Sequence, residues 1–390
     1  METKNSLNKI RRIFIFFMYF ILTFSAVEEF NSLKYISIIG ILMLIIVDVL
    51  KNKAVKKNVI IFGAVIFIQA IAMCFQKINI SQIFTTLLYY VVLLMISISG
   101  YRLIKQKDDL KVIFYAVFIA TIIIMGMSKG EIIYQYNILS KYINRVRIYG
   151  KFNHVNTLGY LSSVLLIVSF ILGKDLNSKK FLRISIIFIN FAFLMIASSR
   201  GAIYSVVIFF CLYYLPKIIK GLPVNNSIKQ LILIFIYMLI IVGSCIFVID
   251  VVFNTDTYMS RMEALDEIKG DFYQTIAGRG MLQASDMDFS NITGYLEIAW
   301  INIFYRSGLI GVSAFLIIFI NLWKNISKIE NTEKKHIAKC LFIAILATTF
   351  VESIIVNIFN LVPLFLWPVI STCANYKNKI GEKNEIESKQ

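Results

Sequence analysis

Charge is what this chain has least of. Only 16% of its 390 residues are Asp, Glu, Lys or Arg, against 58% hydrophobic residues and a mean hydropathy of +0.75. A soluble domain carries about 25% charged residues, so a water-facing surface over most of the chain is excluded. The five cysteines (Cys74, Cys211, Cys245, Cys340 and Cys373) fall inside or at the ends of apolar runs, with no CxxC pair. That argues against a disulfide framework or a zinc site, and they read as small core residues. There is no Walker loop, no GxGxxG opening a helix after a strand and no HExxH. ATP hydrolysis, dinucleotide binding and zinc proteolysis are therefore not expected. Apolar and polar residues do not alternate over about 10 positions, so a membrane β-barrel is not expected either. The net charge of +17 comes without a sustained basic stripe interleaved with aromatics, which removes nucleic acid as a partner.

What is present is a series of apolar runs from the N-terminus almost to the end. At 1.5 Å per residue, each is long enough, or nearly so, to cross a hydrocarbon core of about 30 Å. The expected fold is an all-α, polytopic transmembrane helical bundle of about 12 spans, one integral membrane domain over residues 1–390. Spans are expected at 13–27, 35–50, 59–75, 83–100, 112–127, 157–172, 181–198, 201–215, 231–252, 305–323, 337–354 and 356–373. The first follows Lys9, Arg11 and Arg12 and reads as an uncleaved helix rather than a signal peptide. The seventh and eighth spans, and the eleventh and twelfth, have almost no loop between them, and Pro363 and Pro368 are expected to kink the last.

Basic residues test the topology. With the N-terminus in the cytoplasm, 28 of the 40 Lys and Arg residues fall on inside segments, all of them short. They include Lys51 to Lys57, Arg102 to Lys111, Lys174 to Arg183, Lys217 to Lys229, Lys324 to Lys339 and the tail 375–390. The positive-inside rule then places both termini in the cytoplasm of a multi-pass protein.

Two external segments are long, 128–155 and 253–303, and loops of that length in a compact helical protein are functional or disordered. The second holds eight carboxylates but also Phe272, Tyr273, Tyr295 and Trp300, which predicts short amphipathic helices over the outer membrane face. In the first, Lys129, Lys141, Arg145, Arg147 and Lys151 face Glu131 alone. Two readings stand: solvated charges, or an anion site in which Arg145 and Arg147 bind phosphate oxygens bidentately. Directly after them, His154 and Asn156 sit where the chain re-enters the membrane, between Gly150 and Gly159. His154 is either a proton acceptor or an interfacial residue bonded to backbone. Arg200, in a tight external turn, either snorkels or meets an anionic headgroup. Gly278-Arg279-Gly280 suits an anion; Asn291, Tyr295, Glu297 and Arg306 follow. Asp286-Met287-Asp288 has DxD spacing but reads as solvated carboxylates. Glu352 is an ionisable group at membrane depth, functional by default or a salt-bridge partner of Arg200 or Arg306.

The order of these motifs resembles a known family. Residues 152–159, Phe-Asn-His-Val-Asn-Thr-Leu-Gly, enter one helix, and Ser198-Ser199-Arg200-Gly201 follows two helices on. A long loop then brings Gly278-Arg279-Gly280, an Asn291-x-x-x-Tyr295-Leu296 stretch and Gly308-Leu309-Ile310-Gly311. Over roughly residues 145–357 this resembles the O-antigen polymerase and ligase superfamily, specifically the Wzy-type polysaccharide repeat-unit polymerases. The resemblance implies a membrane glycosyltransferase that joins undecaprenyl pyrophosphate-linked oligosaccharide repeat units at the external face of a bacterial cytoplasmic membrane. It implies no cofactor and no metal, with membrane lipid, a flippase and a chain-length regulator as partners. By resemblance the catalytic residues are His154, Arg200 and Glu297. Arg145, Arg147, Asn156, Arg279, Asn291, Arg306 and Glu352 bind substrate. Ser290 precedes Asn291 where ligase-like members often carry a histidine, and no Arg-x10-Gly pattern starts at Arg145, Arg147 or Arg261; the base is thus open. The alternatives are a ligase moving finished glycan to another acceptor, and a lipid-linked oligosaccharide flippase, although transporters favour short loops and midplane charges.

Overall fold

The computed structural model describes residues 2–51, 57–75, 80–128, 130, 148–253, 272–279, 298–353 and 360–374. Among them are thirteen α-helices and no strand beyond one isolated bridge between Val27 and Phe152. The helices are α1 (Glu2–Phe24), α2 (Leu33–Lys51), α3 (Lys57–Phe75), α4 (Ile80–Ser99), α5 (Lys107–Met127), α6 (Val155–Leu172) and α7 (Lys180–Ala197). They continue with α8 (Arg200–Lys220), α9 (Asn226–Phe253), α10 (Phe272–Ala277), α11 (Ala299–Ser327), α12 (Thr332–Thr349) and α13 (Leu361–Ala374). Seven described stretches are long and apolar enough to cross a membrane, carried by α2, α4, α5, α6, α7, α8 and α11. The protein is a helical membrane protein. In lipid the backbone must satisfy its own hydrogen bonds, which a helix does within one segment.

Each of the twelve apolar runs overlaps a helix, with instructive differences at the edges. α1 starts at Glu2, so Lys9, Arg11 and Arg12 are helical. α11 starts at Ala299, six residues before the expected span, and bends at Gly308, whose φ of 55° and ψ of −158° are non-helical. Arg306 therefore lies within a helix rather than in a loop. The eleventh and twelfth runs are not continuous: α12 ends at Thr349 and α13 begins at Leu361, leaving Glu352 in a turn. Within the second long segment the described residues form one short helix, α10, packed on α3 and α11, while most of both long loops lies outside the described residues.

α13 is the centre of the bundle. Residues 361–371 of it are all buried, against α4, α6, α11 and α12. Pro368 has no N–H to give the carbonyl four residues back. The Tyr19 hydroxyl of α1 donates to that carbonyl, Leu364 O, at 2.9 Å. A defect that proline creates in one helix is thus repaired by another.

Successive helices run up and down, which separates the connections into two sets. At one end, Arg11 and Arg12 of α1 reach Asp109 of α5, each at 3.1 Å. There too Arg102 pairs with Asp48 at 3.0 Å, joined by Lys105, and Lys107 meets Asp175. At the opposite end lie the α1–α2 turn, the start of α6, the α7–α8 turn, α10 and residues 350–353 after α12.

Candidate functional site

The second end collects the described candidate residues. His154 is the N-cap of α6, in extended backbone, and its Nδ1 accepts the Asn156 N–H at 3.1 Å. A neutral ring used in this way carries its proton on Nε2. In this geometry His154 offers a donor, not a base, which bears on the two readings of that residue.

Asn156 spans two elements. Its Nδ2 donates to Glu352 Oε1 at 3.0 Å, and its Oδ1 accepts from Ser199 Oγ at 3.0 Å. The amide thus ties the start of α6 to the α7–α8 turn and to the turn after α12. Ser199 is buried, and the preceding Ser198 adopts a left-handed conformation with φ of 51°. That tight reversal leads straight into exposed Arg200 at the head of α8. A Cβ on Gly201 would stand 3.0 Å from Glu352 Cγ, so the head of α8 rests against the Glu352 side chain.

Arg279 and Arg306 form a second group. Gly278, at φ of 74°, turns the chain out of α10 so that the Arg279 N–H donates to Tyr305 O at 2.8 Å. In a regular helix that carbonyl bonds to the residue four positions on; the bend at Gly308 interrupts the ladder there. Each glycine is required by its partner segment. A Cβ on Gly278 would fall 2.1 Å from Ser307 N, and one on Gly308 would fall 2.4 Å from Ile276 C. The Arg279 guanidinium lies over the Tyr305 ring, 5.1 Å from its centroid. Arg306 is the next residue along α11, and its Nη1 is buried with no hydrogen-bond partner among the described residues. A buried guanidinium nitrogen without an acceptor is costly, and an anion is the group that would satisfy it.

A polar cleft opens beside His154. It is small and lined by Ser25, Ala26 and Asn31 between α1 and α2, Lys34 of α2, Asn153 and Thr157 at the start of α6, and Asn360 and Leu361 at the start of α13. Amides, a hydroxyl and an ammonium offer both donors and acceptors, the complement of a sugar's hydroxyls. The two arginine-bearing groups face the same end of the bundle, since Trp300 Nε1 at the head of α11 donates to Thr349 Oγ1 at 3.0 Å, three residues before Glu352.

The structure therefore brings His154, Asn156, Arg200 and Glu352 together and sets Arg279 beside Arg306. Arg145, Arg147, Asn291 and Glu297 lie outside the described residues, as does the Asp286-Met287-Asp288 triplet. Sequence reasoning quoted Ser199 within a motif but gave it no role, since its partner is 43 residues away, and it missed the cleft residues Asn31 and Lys34. Polar groups beside the first spans were the available signal for the latter. No protein-family model and no curated protein matches this chain.

Proposed function

We propose that this protein polymerises lipid pyrophosphate-linked oligosaccharide units at the external face of a bacterial cytoplasmic membrane. The observation that carries the reading is the Ser199–Asn156–Glu352 hydrogen-bonded chain. It holds a carboxylate against the Arg200 turn, at the end of the bundle that also bears Arg279 and Arg306. The opposite end holds the short basic connections, which belong in the cytoplasm by the positive-inside rule.

In this reading Arg200, Arg279 and Arg306 receive the donor diphosphate and neutralise the charge that grows on its departing oxygen. Glu352, oriented by Asn156, accepts the proton of the acceptor hydroxyl. The acceptor oxygen bonds to the anomeric carbon as the carbon–oxygen bond to the diphosphate breaks, and the electron pair leaves with the phosphate. No nucleotide is consumed, since the lipid diphosphate is itself a good leaving group. Clamping donor and acceptor side by side adds several kcal/mol through proximity.

The test is replacement of Arg200 by Ala and of Glu352 by Gln, followed by gel analysis of surface polysaccharide. Each is expected to slow chain extension by about 100-fold or more, leaving single repeat units while the protein still inserts in the membrane. Unchanged chain length in both variants would overturn the assignment. Gene deletion separates the rivals: loss of all surface glycan indicates a flippase, and normal-length polymer held on its lipid indicates a ligase.

A further inference from the structure

Gln69 stands in α3 among apolar residues and is fully buried. Its Nε2 donates to Ala277 O at 3.1 Å. Ala277 is the last residue of α10, and the final carbonyls of a helix have no intrahelical partner. The amide of a long apolar helix thus holds the end of a six-residue helix 208 positions away. The very next residues are Gly278 and Arg279, which dock on α11 through the Tyr305 carbonyl.

Stability alone does not explain a glutamine here. Its Oε1 is buried with no hydrogen-bond partner among the described residues. An unsatisfied buried acceptor costs free energy, whereas an apolar side chain of the same shape is close to neutral. The residue brings that cost and in return fixes one carbonyl, the one that precedes the Gly278–Arg279 turn. Three contacts then define the Arg279 backbone: Gln69 to Ala277 O, Gly278 N–H to Gln274 O at 2.8 Å, and Arg279 N–H to Tyr305 O. The first comes from α3 and the third from α11, so the Gln69 bond ties the end of α10 to α3 while the Tyr305 carbonyl ties it to α11.

We infer that Gln69 is a positioning residue, which places the Arg279 guanidinium beside Arg306 so that both address one diphosphate. The inference rests on the proposed role of Arg279 in holding that diphosphate. It touches no substrate atom itself and acts through the Ala277 carbonyl.

The test uses the full chain purified in lipid nanodiscs and inorganic pyrophosphate as the probe, with binding followed by calorimetry. Gln69→Met keeps the volume and removes the donor. It is expected to weaken pyrophosphate binding about tenfold, the worth of one well-placed hydrogen bond, beside a modest fall in the thermal unfolding midpoint from the Ala277 carbonyl left without its donor. In an Arg279→Ala background the same change is expected to add nothing, a non-additivity that a merely structural role would not produce. Should Gln69→Met fail to fold, Gln69→Leu serves, because it fills similar space and has no donor for the carbonyl. Wild-type binding in the Gln69 variant together with loss in Arg279→Ala defeats the positioning role and leaves the diphosphate reading intact. An equal further loss in the double variant also defeats it. Undiminished binding in Arg279→Ala, or none in the wild type, instead overturns the role given to Arg279.

Discussion

The two ends of the bundle use the same kind of side chain in opposite ways. At the end with short connections, Arg11, Arg12, Arg102, Lys105, Lys107 and Lys217 each meet a carboxylate within ion-pair distance. Asp109 is the hub. It accepts from Arg11 and Arg12 and from the backbone N–H groups of Lys105 and Gln106 at 2.8 and 3.0 Å. Sitting in the first turn of α5, it also faces the positive end of that helix. At the other end, Arg200 is exposed, Arg279 leans on an aromatic face and Arg306 keeps a buried nitrogen without a protein partner among the described residues. Cations matched by carboxylates hold helices together. The described contacts of Arg279 and Arg306 are instead with backbone and an aromatic ring.

That contrast is broken most directly at Asp109. Asp109→Ala removes four hydrogen bonds at once and leaves Arg11 with the Arg102 and Leu103 carbonyls and Arg12 with Asp108 and Gln106. Severing a buried pair costs roughly 3–5 kcal/mol, and the lower figure applies because solvent reaches Arg11 and Arg12, whose side chains are 18% and 28% exposed. The thermal unfolding midpoint in detergent is expected to fall sharply, while pyrophosphate binding by the surviving folded protein is unchanged. Loss of binding with no loss of stability would erase the distinction between the ends.

A smaller effect is expected at the centre, where charge plays no part. Tyr19→Phe leaves the Leu364 carbonyl without its donor inside a dry core. The cost is about 1–3 kcal/mol, read as a lower unfolding midpoint. The donor cannot come from α13 itself, since Pro368 occupies the position that would supply it. An unchanged midpoint would mean that the carbonyl finds another partner when Tyr19 is altered.

The helical framework was legible in the sequence because hydrophobic runs and basic clusters are local signals. The site was legible only in part, and the reasons are physical. Arg200 and Asn156 stood out because a charge or an amide beside an apolar run is conspicuous. Glu352 stood out too, but as a group within a span; it proved to follow the end of α12, a boundary that composition does not mark. The connection from Asn156 to Glu352 crosses 196 positions and has no trace in spacing. Gln69 was hidden for the same reason. It lies in the first third of the chain, which contributed only hydrophobicity to the sequence argument, yet its amide reaches the arginine-bearing loop. The Gly308 bend was readable only as one glycine of a Gly-Leu-Ile-Gly stretch, because a helix break depends on what docks against it, here α10.

The faintest expected signal sharpens the comparison from the end that carries the candidate site, where one ion pair occurs among the described residues. Lys151 Nζ lies 3.4 Å from Glu29 Oε1, joining the segment before α6 to the α1–α2 turn. The Glu29 carboxyl is held below the usual carboxylate range, first by its own backbone N–H and then by Lys151. A depressed pKa in the folded state means that the stabilisation is present at neutral pH. It disappears as the pH falls through that lowered value, once the folded state must also take up the proton. The wild type should therefore lose slightly more thermal stability on acidification than Glu29→Gln, and the two should converge at the acid end. Because solvent and salt screen an exposed pair, raising the ionic strength should shrink the difference further. A gap that widens with acid would show that Glu29 is stabilised in its neutral form, and the pair would then belong with neither end's pattern.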